Sequence, residues 1–339
     1  MHRHFRVLPV LCLALASFFS HPASAADIKF AILAPKGSTF VNGVEGWCKD
    51  VTAKTAGGVK CTIFDSGQQG DEKVVNQKMK IGQLQGGAFS GLGLGLACPA
   101  ARVLELPMLF KNYAEVDYVK EKIRPALEKC FDDRGFVLVG FAEAGFVNMF
   151  SNKPISSTKD LKGIKMWVWA DDELAKVLAE TYNVSPIPLG VVDVLTMLQT
   201  GQIDAVYGPP IWVIASQWHT KVKYMTDLKI INSTGAILVS KKFFSTLTPA
   251  QQQILKTSGN TYGNQLVTAI RADNEKSYQV LKQMGIQFIK PSAADEANLK
   301  TLSEGAYTNP KLLGKFYDQA MLDQVQGLLK DYRTQHAAN

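Results

Sequence analysis

The chain has 339 residues, with 37 lysines and arginines against 30 aspartates and glutamates, and therefore a formal net charge of +7. Its basic residues stand singly or in pairs among acids, whereas a nucleic-acid-binding surface needs a concentrated basic stripe, so nucleic acid is excluded as a partner. Only five histidines occur, which disfavours a His-rich zinc site and a Ser-His-Asp triad.

The first 25 residues have the pattern of a secretory signal peptide. Arg3 and Arg6 precede an apolar stretch at 7–19, and Ala23-Ser24-Ala25 supplies the small residues that a signal peptidase recognises. We expect cleavage near Ala25 and a periplasmic mature chain of 314 residues, a length that suits two lobes of about 150 residues each. No later stretch approaches the about 20 apolar residues of a membrane span, so we expect no direct membrane insertion.

Four of the five cysteines, Cys48, Cys61, Cys98 and Cys130, follow this segment. An even number in an oxidising compartment favours disulfide bonds, and four cysteines allow three pairings. We favour Cys48–Cys61 and Cys98–Cys130, because each pair would join a predicted helix to a nearby strand or loop. Buried free thiols are the alternative for at least one pair. No C-x-x-C spacing occurs, so we expect neither a metal site nor a cofactor.

Strand-like and helix-like segments alternate along the first half of the chain. The predicted strands lie at 28–33, 60–64, 86–90, 136–141 and 146–151. Pro125 interrupts the helical pattern before 136, and because proline removes a hydrogen bond inside a helix we expect a kink or two helices there. The glycine-rich run at 91–95 matches neither the dinucleotide-binding motif nor the P-loop, so we expect tight turns beside a cleft.

A second series of strands and helices follows. Its predicted strands are 164–169, 184–189, 203–207 and 235–240, with helices at 171–182 and 190–200. Thr248-Pro249-Ala250-Gln251 has the residues of a helix start, and helical composition continues to Gly285. Alternation of this kind predicts parallel α/β sheets, and two series joined by crossings predict a cleft between two lobes.

Large aromatic residues gather near the predicted strand ends of the second series. Trp167 and Trp169 are two residues apart on a predicted strand and therefore lie on the same face of it. Tyr207 ends another predicted strand, and Trp212 and Trp218 follow it. Such residues more often belong to a core than to a site. Ligands nevertheless bind at strand ends of parallel sheets, so we expect at least one of this group to line a site.

Seven sequence blocks, in a common order, resemble those of the TRAP-transporter solute-binding proteins of the DctP type. The resemblance extends from Lys29 to about Gly285, and the order of the blocks is more specific than any one of them. The blocks are Gly67-Gln68-Gln69-Gly70-Asp71-Glu72, the segments at 104–110, 145–152 and 160–168, Pro186-Ile187-Pro188-Leu189, and the segments at 198–204 and 238–244.

The resemblance implies an α/β, two-lobed periplasmic-binding-protein-like fold, with a mixed, mostly parallel sheet in each lobe, a ligand cleft between the lobes and a long helix spanning both. It implies lobe I at 26–145 plus about 235–270, lobe II at about 146–234 plus 271–305, and a C-terminal helical segment at 306–339. It also implies a monomeric receptor without enzymatic activity, which delivers a small organic solute to the membrane subunits of a TRAP permease driven by an ion gradient.

The sequence departs from this family at the positions that hold a substrate carboxylate. Two arginines and an asparagine are usual there, and this chain has Val147, Trp167 and Gly208. An unpaired buried carboxylate is costly, so we expect a neutral, aromatic or cationic ligand held against indole faces. The candidate ligand-binding residues are Trp167, Trp169, Tyr207, Gly208, Trp212, Phe89, Ser90, Glu72, Glu143 and Asn148.

Three alternatives remain open. A carboxylate ligand could be anchored by Lys165 or by backbone N–H groups. An exported enzyme could use Glu143 or an aspartate as its acid and base, although Asp171-Asp172-Glu173 is explained by the favourable placement of acids at a helix N-terminus. A sensory receptor for a signalling kinase would have the same sequence features as a transport receptor.

Overall fold

The computed structural model describes residues 25–336, so most of the predicted signal peptide lies outside the described residues. The strands are β1 (Ala26–Ala31), β2 (Val59–Phe64), β3 (Gly86–Phe89), β4 (Phe136–Ser151), β5 (Lys165–Trp169), β6 (Ser185–Leu189), β7 (Ala205–Gly208), β8 (Tyr224–Ser240) and β9 (Gln287–Ile289). The α-helices are α1 (Thr39–Lys54), α2 (Glu72–Lys80), α3 (Gly91–Ala97), α4 (Tyr113–Asp133), α5 (Glu173–Thr181), α6 (Val194–Gln199), α7 (Pro210–Ala215), α8 (Lys241–Phe244), α9 (Pro249–Gln283), α10 (Ala293–Ala306) and α11 (Gln319–Gln335).

Parallel strands form two groups, as predicted. β1 pairs in parallel with β2 and β3, and β5 pairs in parallel with β6 and β7. We call the part of the molecule built on β1–β3 the first half and the part built on β5–β7 the second half. The strand order is β2-β1-β3-β8-β4-β7-β5-β6, with β9 paired to β8, so the two groups lie at opposite ends of one mixed sheet.

Two long antiparallel strands, β4 and β8, join the halves. The predicted strands at 136–141 and 146–151 are one continuous strand, and the predicted strand at 235–240 is the end of a strand that begins at Tyr224. Gly145 has φ +102°, and the register of β4 against β8 shifts between Glu143 and Gly145. Because glycine accepts this conformation, the strand bends without ending. The expected lobe limits at 145/146 and 234/235 fall inside these two strands.

The long helix α9 packs into the cores of both halves, as the resemblance implies. Thr248 caps it with the expected capping box, and its 35 residues give a length of about 50 Å. Leu255 and Ile270 join the core around β1, and Leu281 joins the core around Trp218. Because a Cβ at Gly259 would overlap the carbonyl of Val139, this glycine lets α9 lie directly on β4.

Two local predictions about helices are corrected. Pro125 does not divide α4, because Ile123 and Leu127 are buried on either side of it and tertiary packing holds the helix together. The glycine-rich run forms α3 rather than tight turns. A Cβ at Gly91 would overlap the Glu105 carboxylate, and one at Gly93 would overlap the Phe89 ring, so these glycines permit close packing of a buried helix.

Both predicted disulfide bonds are confirmed: Cys48–Cys61 joins α1 to β2, and Cys98–Cys130 joins the end of α3 to α4. The last described segment packs against the first half, where Arg333 at the end of α11 holds Glu115 of α4 with two hydrogen bonds of 2.8 Å. Within residues 25–336 no helix combines the length and the apolar character that a bilayer span requires.

Candidate ligand-binding site

A cavity of about 140 Å³ lies where the two halves meet. We call it the aromatic chamber, because five aromatic candidates line it. Nine of the ten candidate ligand-binding residues border this chamber: Glu72, Phe89, Ser90, Glu143, Trp167, Trp169, Tyr207, Gly208 and Trp212. The residues selected from the sequence therefore lie together at one place in the fold.

The second half supplies a stack of rings. Trp167 stacks on Tyr207 at a centroid distance of 5.0 Å and an interplanar angle of 23°, and it contacts Trp169 at 5.4 Å. The edge of Trp218 packs on Trp167 from behind at 5.1 Å. Trp167 is only 2% exposed and its Nε1 donates to the carbonyl of Leu189 at 3.1 Å. Trp167 is thus the buried centre of the stack, and Trp169 is its more accessible face.

Trp212 of α7 closes the chamber from another direction. Its ring lies edge-on to Phe40 of α1, with centroids 5.9 Å apart, so this aromatic pair joins the second half to the first. Phe40, Val44 and Leu266 complete the apolar wall on the side of the first half. The sequence analysis did not select these three residues, because their helical spacing marks them equally well as ordinary core residues.

Glu72 is the buried acid that α2 of the first half contributes to the aromatic chamber. Its carboxylate accepts hydrogen bonds from Ser90 N at 2.6 Å, Ser90 Oγ at 2.8 Å and Gly93 N at 2.7 Å. The α3 N-terminus therefore holds this carboxylate. Burial raises the pKa of Glu72 to about 7, against the lowering effect of these hydrogen bonds. Among the described residues Glu72 has no salt-bridge partner.

Glu143 borders the same chamber but is already neutralised. Arg271 of α9 donates from Nε to Oε1 at 2.7 Å and from Nη2 to Oε2 at 2.9 Å. The same guanidinium also holds Asp117 of α4 with two hydrogen bonds of 2.7 Å. Glu143 is therefore a poor candidate for a general acid or base. Arg271 lies 128 residues from Glu143, so sequence spacing gave no indication of this pair.

Asn148 does not line the chamber, and the expectation that it hydrogen-bonds a ligand is not supported. Its side chain is fully buried; Nδ2 donates to the carbonyls of Thr226 and Leu228, and Oδ1 accepts from the Tyr278 hydroxyl at 2.8 Å. These contacts fasten β4 to β8 and α9. The amide is fully used by the fold.

Lys165 is also no anchor for a carboxylate ligand in this structure. It begins β5, at the end remote from the chamber, and its Nζ donates to the carbonyl of Gly201 at 2.8 Å. Among the described residues that line the aromatic chamber there is no lysine or arginine, while Glu72 and Glu143 are both present. The described lining of the chamber is therefore aromatic, and Glu72 is its carboxylate without a salt bridge.

The acidic run at 171–173 serves a helix terminus, as predicted. Asp172 is the N-cap of α5 and accepts from Ala175 N at 3.2 Å. Both of its carboxylate oxygens also accept from Nη2 of Arg102 at 2.9 Å. Within residues 25–336, no three histidine, cysteine, aspartate or glutamate side chains are placed to hold a metal ion together.

The sequence of this chain is similar to those of known solute-binding proteins. Residues 30–311 match the DctP family model, bacterial extracellular solute-binding protein, family 7. The chain is 25% identical over 293 residues to the C4-dicarboxylate-binding periplasmic protein DctP of Rhodobacter capsulatus, which covers 84% of this chain and 86% of that protein. It is 22% identical over 306 residues to the ectoine-binding periplasmic protein TeaA of Halomonas elongata. This alignment covers 86% of this chain and 85% of that protein.

The fold is shared with solved structures. The sugar acid binding protein DctPAm of Advenella mimigardefordensis, solved in complex with galactonate, superposes with a TM-score of 0.85 at 20% sequence identity, covering 91% of this chain and 98% of that chain. The expected α/β, two-lobed architecture is thereby confirmed.

Proposed function

Since this chain belongs to the DctP family of TRAP-type periplasmic solute-binding proteins, we propose that it captures a small organic solute in the aromatic chamber and delivers it to the membrane subunits of a TRAP permease. We also infer that the signal peptide is cleaved near Ala25 and that the mature receptor is a monomer. The ligands named for its relatives, C4-dicarboxylates and ectoine, support a small organic solute in general.

The proposed ligand is a neutral, aromatic or cationic molecule. The single observation that carries this proposal is the lining of the chamber, which combines aromatic faces with a buried Glu72 that no basic side chain within residues 25–336 pairs. A carboxylate ligand would bring a second negative charge beside Glu72, whereas a cation would compensate it. Aromatic rings favour cations and flat molecules through their electron-rich faces.

Three probes that share one ring and differ in charge test this proposal. Phenyltrimethylammonium, benzyl alcohol and benzoate are added to the mature receptor, and binding is measured by thermal shift and calorimetry. We expect the cation or the alcohol to bind and benzoate not to bind. Strong binding of benzoate, C4-dicarboxylates or galactonate, with no binding of the other two, would overturn the proposed ligand class and favour a carboxylate receptor.

We further infer that the receptor catalyses no reaction, because the candidate acid–base residue Glu143 is held at both oxygens by Arg271. The ligand recovered after prolonged incubation should be chemically unchanged and present at one molecule per chain. Turnover that is lost in Glu143→Gln would show instead that the protein is an enzyme.

A further inference from the structure

A second cavity, of about 130 Å³, lies on the other side of Trp169 and Tyr207. Its walls are mainly aliphatic: Met166 and Val168 of β5, Ala175 and Leu178 of α5, and Ile231 of β8 border it. We call it the aliphatic chamber. Because side chains alternate along β5, Trp167 borders only the aromatic chamber, while Met166 and Val168 border only the aliphatic one.

The two chambers share a wall. Five residues line both of them: Ser90, Val147, Trp169, Tyr207 and Ser233. Three of these have small side chains, so the wall is thin apart from the two rings. Val147 stands where the family resemblance leads one to expect an arginine. Its short apolar side chain brings no positive charge to either chamber.

The charged end of the aliphatic chamber does not favour an anion. Arg102, which is 4% exposed, contacts Glu105 at 2.7 Å and Asp172 at 2.9 Å, so one guanidinium faces two carboxylates. The remaining lining is apolar apart from hydroxyl groups and the Trp169 indole nitrogen, and Arg102 Nε is a buried polar atom there without a hydrogen-bond partner among the described residues. The long apolar walls of this chamber therefore suit an uncharged hydrocarbon group.

We infer that the two chambers form one binding site for an elongated amphiphilic molecule, with its aromatic or cationic head in the aromatic chamber and an aliphatic chain in the aliphatic chamber. The inference rests on the proposed function and adds the shape of the ligand. An apolar cavity of about 150 Å³ accommodates benzene, so the aliphatic chamber holds an alkyl group of about six carbons. A small compact solute would leave the aliphatic chamber unfilled.

A series of benzyldimethylalkylammonium ions with alkyl chains of one to eight carbons tests the inference by calorimetry. Each buried methylene should tighten the dissociation constant about fourfold, which corresponds to about 0.8 kcal/mol. The gain should stop at about six carbons, when the aliphatic chamber is full. Dissociation constants that stay within twofold across the whole series would overturn the inference.

Two matched variants test whether the alkyl chain of the ligand lies in the aliphatic chamber. Ala175→Phe fills the aliphatic chamber and should abolish the gain with chain length, so that the eight-carbon member binds no more tightly than the one-carbon member. Ala144→Leu, which narrows the aromatic chamber, should weaken every member of the series by a similar factor. Thermal unfolding of both variants checks that they fold. If affinity still rises with alkyl-chain length in Ala175→Phe, the alkyl chain binds outside the aliphatic chamber and the inference is contradicted.

The outcomes separate the two proposals. Binding of the one-carbon ion without any gain from longer chains overturns only the elongated ligand and leaves the proposed ligand class intact. If the one-carbon ion does not bind, a neutral series of alkyl phenyl ketones replaces it. Failure of both series overturns the ligand class as well.

Discussion

The two halves of the molecule contribute different chemistry to the same chamber. The second half provides rings that support one another, with Trp167 buried at the centre of the stack. The first half provides a carboxylate, Glu72, held by the N-terminus of a helix whose glycines allow it to pack closely. We therefore expect the second half to select the shape of a ligand and the first half to select its charge.

The largest expected effect concerns the ion pair between Arg271 and Glu143, which neutralises one of the two carboxylates that line the aromatic chamber. In Arg271→Met, the Glu143 carboxylate, which is 2% exposed, loses the guanidinium that pairs with it. We expect a loss of about 3–5 kcal/mol in the free energy of unfolding, measured by urea denaturation. The double variant Arg271→Met/Glu143→Gln should recover part of this loss. A loss below about 1 kcal/mol would mean that water, not Arg271, stabilises Glu143.

The next effect tests the aromatic wall. Trp169→Ala removes the accessible face of the stack, and we expect ligand binding to weaken by about 2–3 kcal/mol, or roughly 30- to 150-fold, because apolar burial and ring contacts are lost together. Trp218→Phe alters a ring behind the stack that does not border the chamber, and it should change the dissociation constant much less. Equal losses in the two variants would contradict the assignment of Trp169 to the ligand face.

A smaller effect tests the close packing in the first half. In Gly93→Ala the new Cβ would meet the Phe89 ring and the Glu72 carboxylate, so we expect a destabilisation of about 1–3 kcal/mol from overpacking. Gly305 lies within α10 with nothing within 4 Å of an added Cβ. Gly305→Ala should therefore stabilise the protein by up to about 1 kcal/mol through helix propensity. Denaturation curves that shift in the same direction would refute this difference.

The smallest effect concerns pH. With a pKa of about 7 in the folded chain, against 4.5 for an ordinary glutamate, Glu72 keeps a proton that the unfolded chain has lost between these values. Its burial therefore lowers the free energy of unfolding as the pH rises through this window. A cationic ligand favours the ionised form, so its affinity should rise about tenfold between pH 6 and pH 8.

Glu72→Gln should abolish most of this pH dependence of affinity, measured by calorimetry across the same range. Burial also raises the pKa of Glu105 to about 7, partly offset by Arg102. Glu105 borders only the aliphatic chamber, so the Glu72 variant distinguishes the two acids. A pH profile that is unchanged in Glu72→Gln would assign the effect to Glu105 and would weaken the proposal of a charge-selective first half.

Much of the candidate site could be predicted from sequence because the sequence marks strand ends. Trp169 ends β5 and Tyr207 lies at the end of β7, while Trp167 lies two residues before Trp169 on the same face of its strand. Parallel strands bring such ends together. Glu72 follows a loop at a helix start, which local capping rules identify. The chamber contains all four of these residues.

Other features could not be predicted because they depend on partners distant in sequence. Asn148 looks like a ligand contact in its sequence block, yet it is bonded to β8 and to Tyr278, 130 residues away. Pro125 breaks an isolated helix pattern, but burial on both of its sides outweighs its local cost. The glycine run at 91–95 forms a helix, and the surrounding side chains, in part distant in sequence, leave no room for a Cβ at its glycines.

By itself, the sequence predicted the alternation of strands and helices, the capped start of α9 and the aromatic character of the site. These features depend on residues close together in the chain, where periodicity, capping and turn chemistry act. Only the tertiary structure decided that Arg271 neutralises Glu143 while Glu72 stays unpaired, and that a second, aliphatic chamber lies behind Trp169. Both depend on the packing of elements more than a hundred residues apart, because burial and charge pairing are properties of the assembled fold.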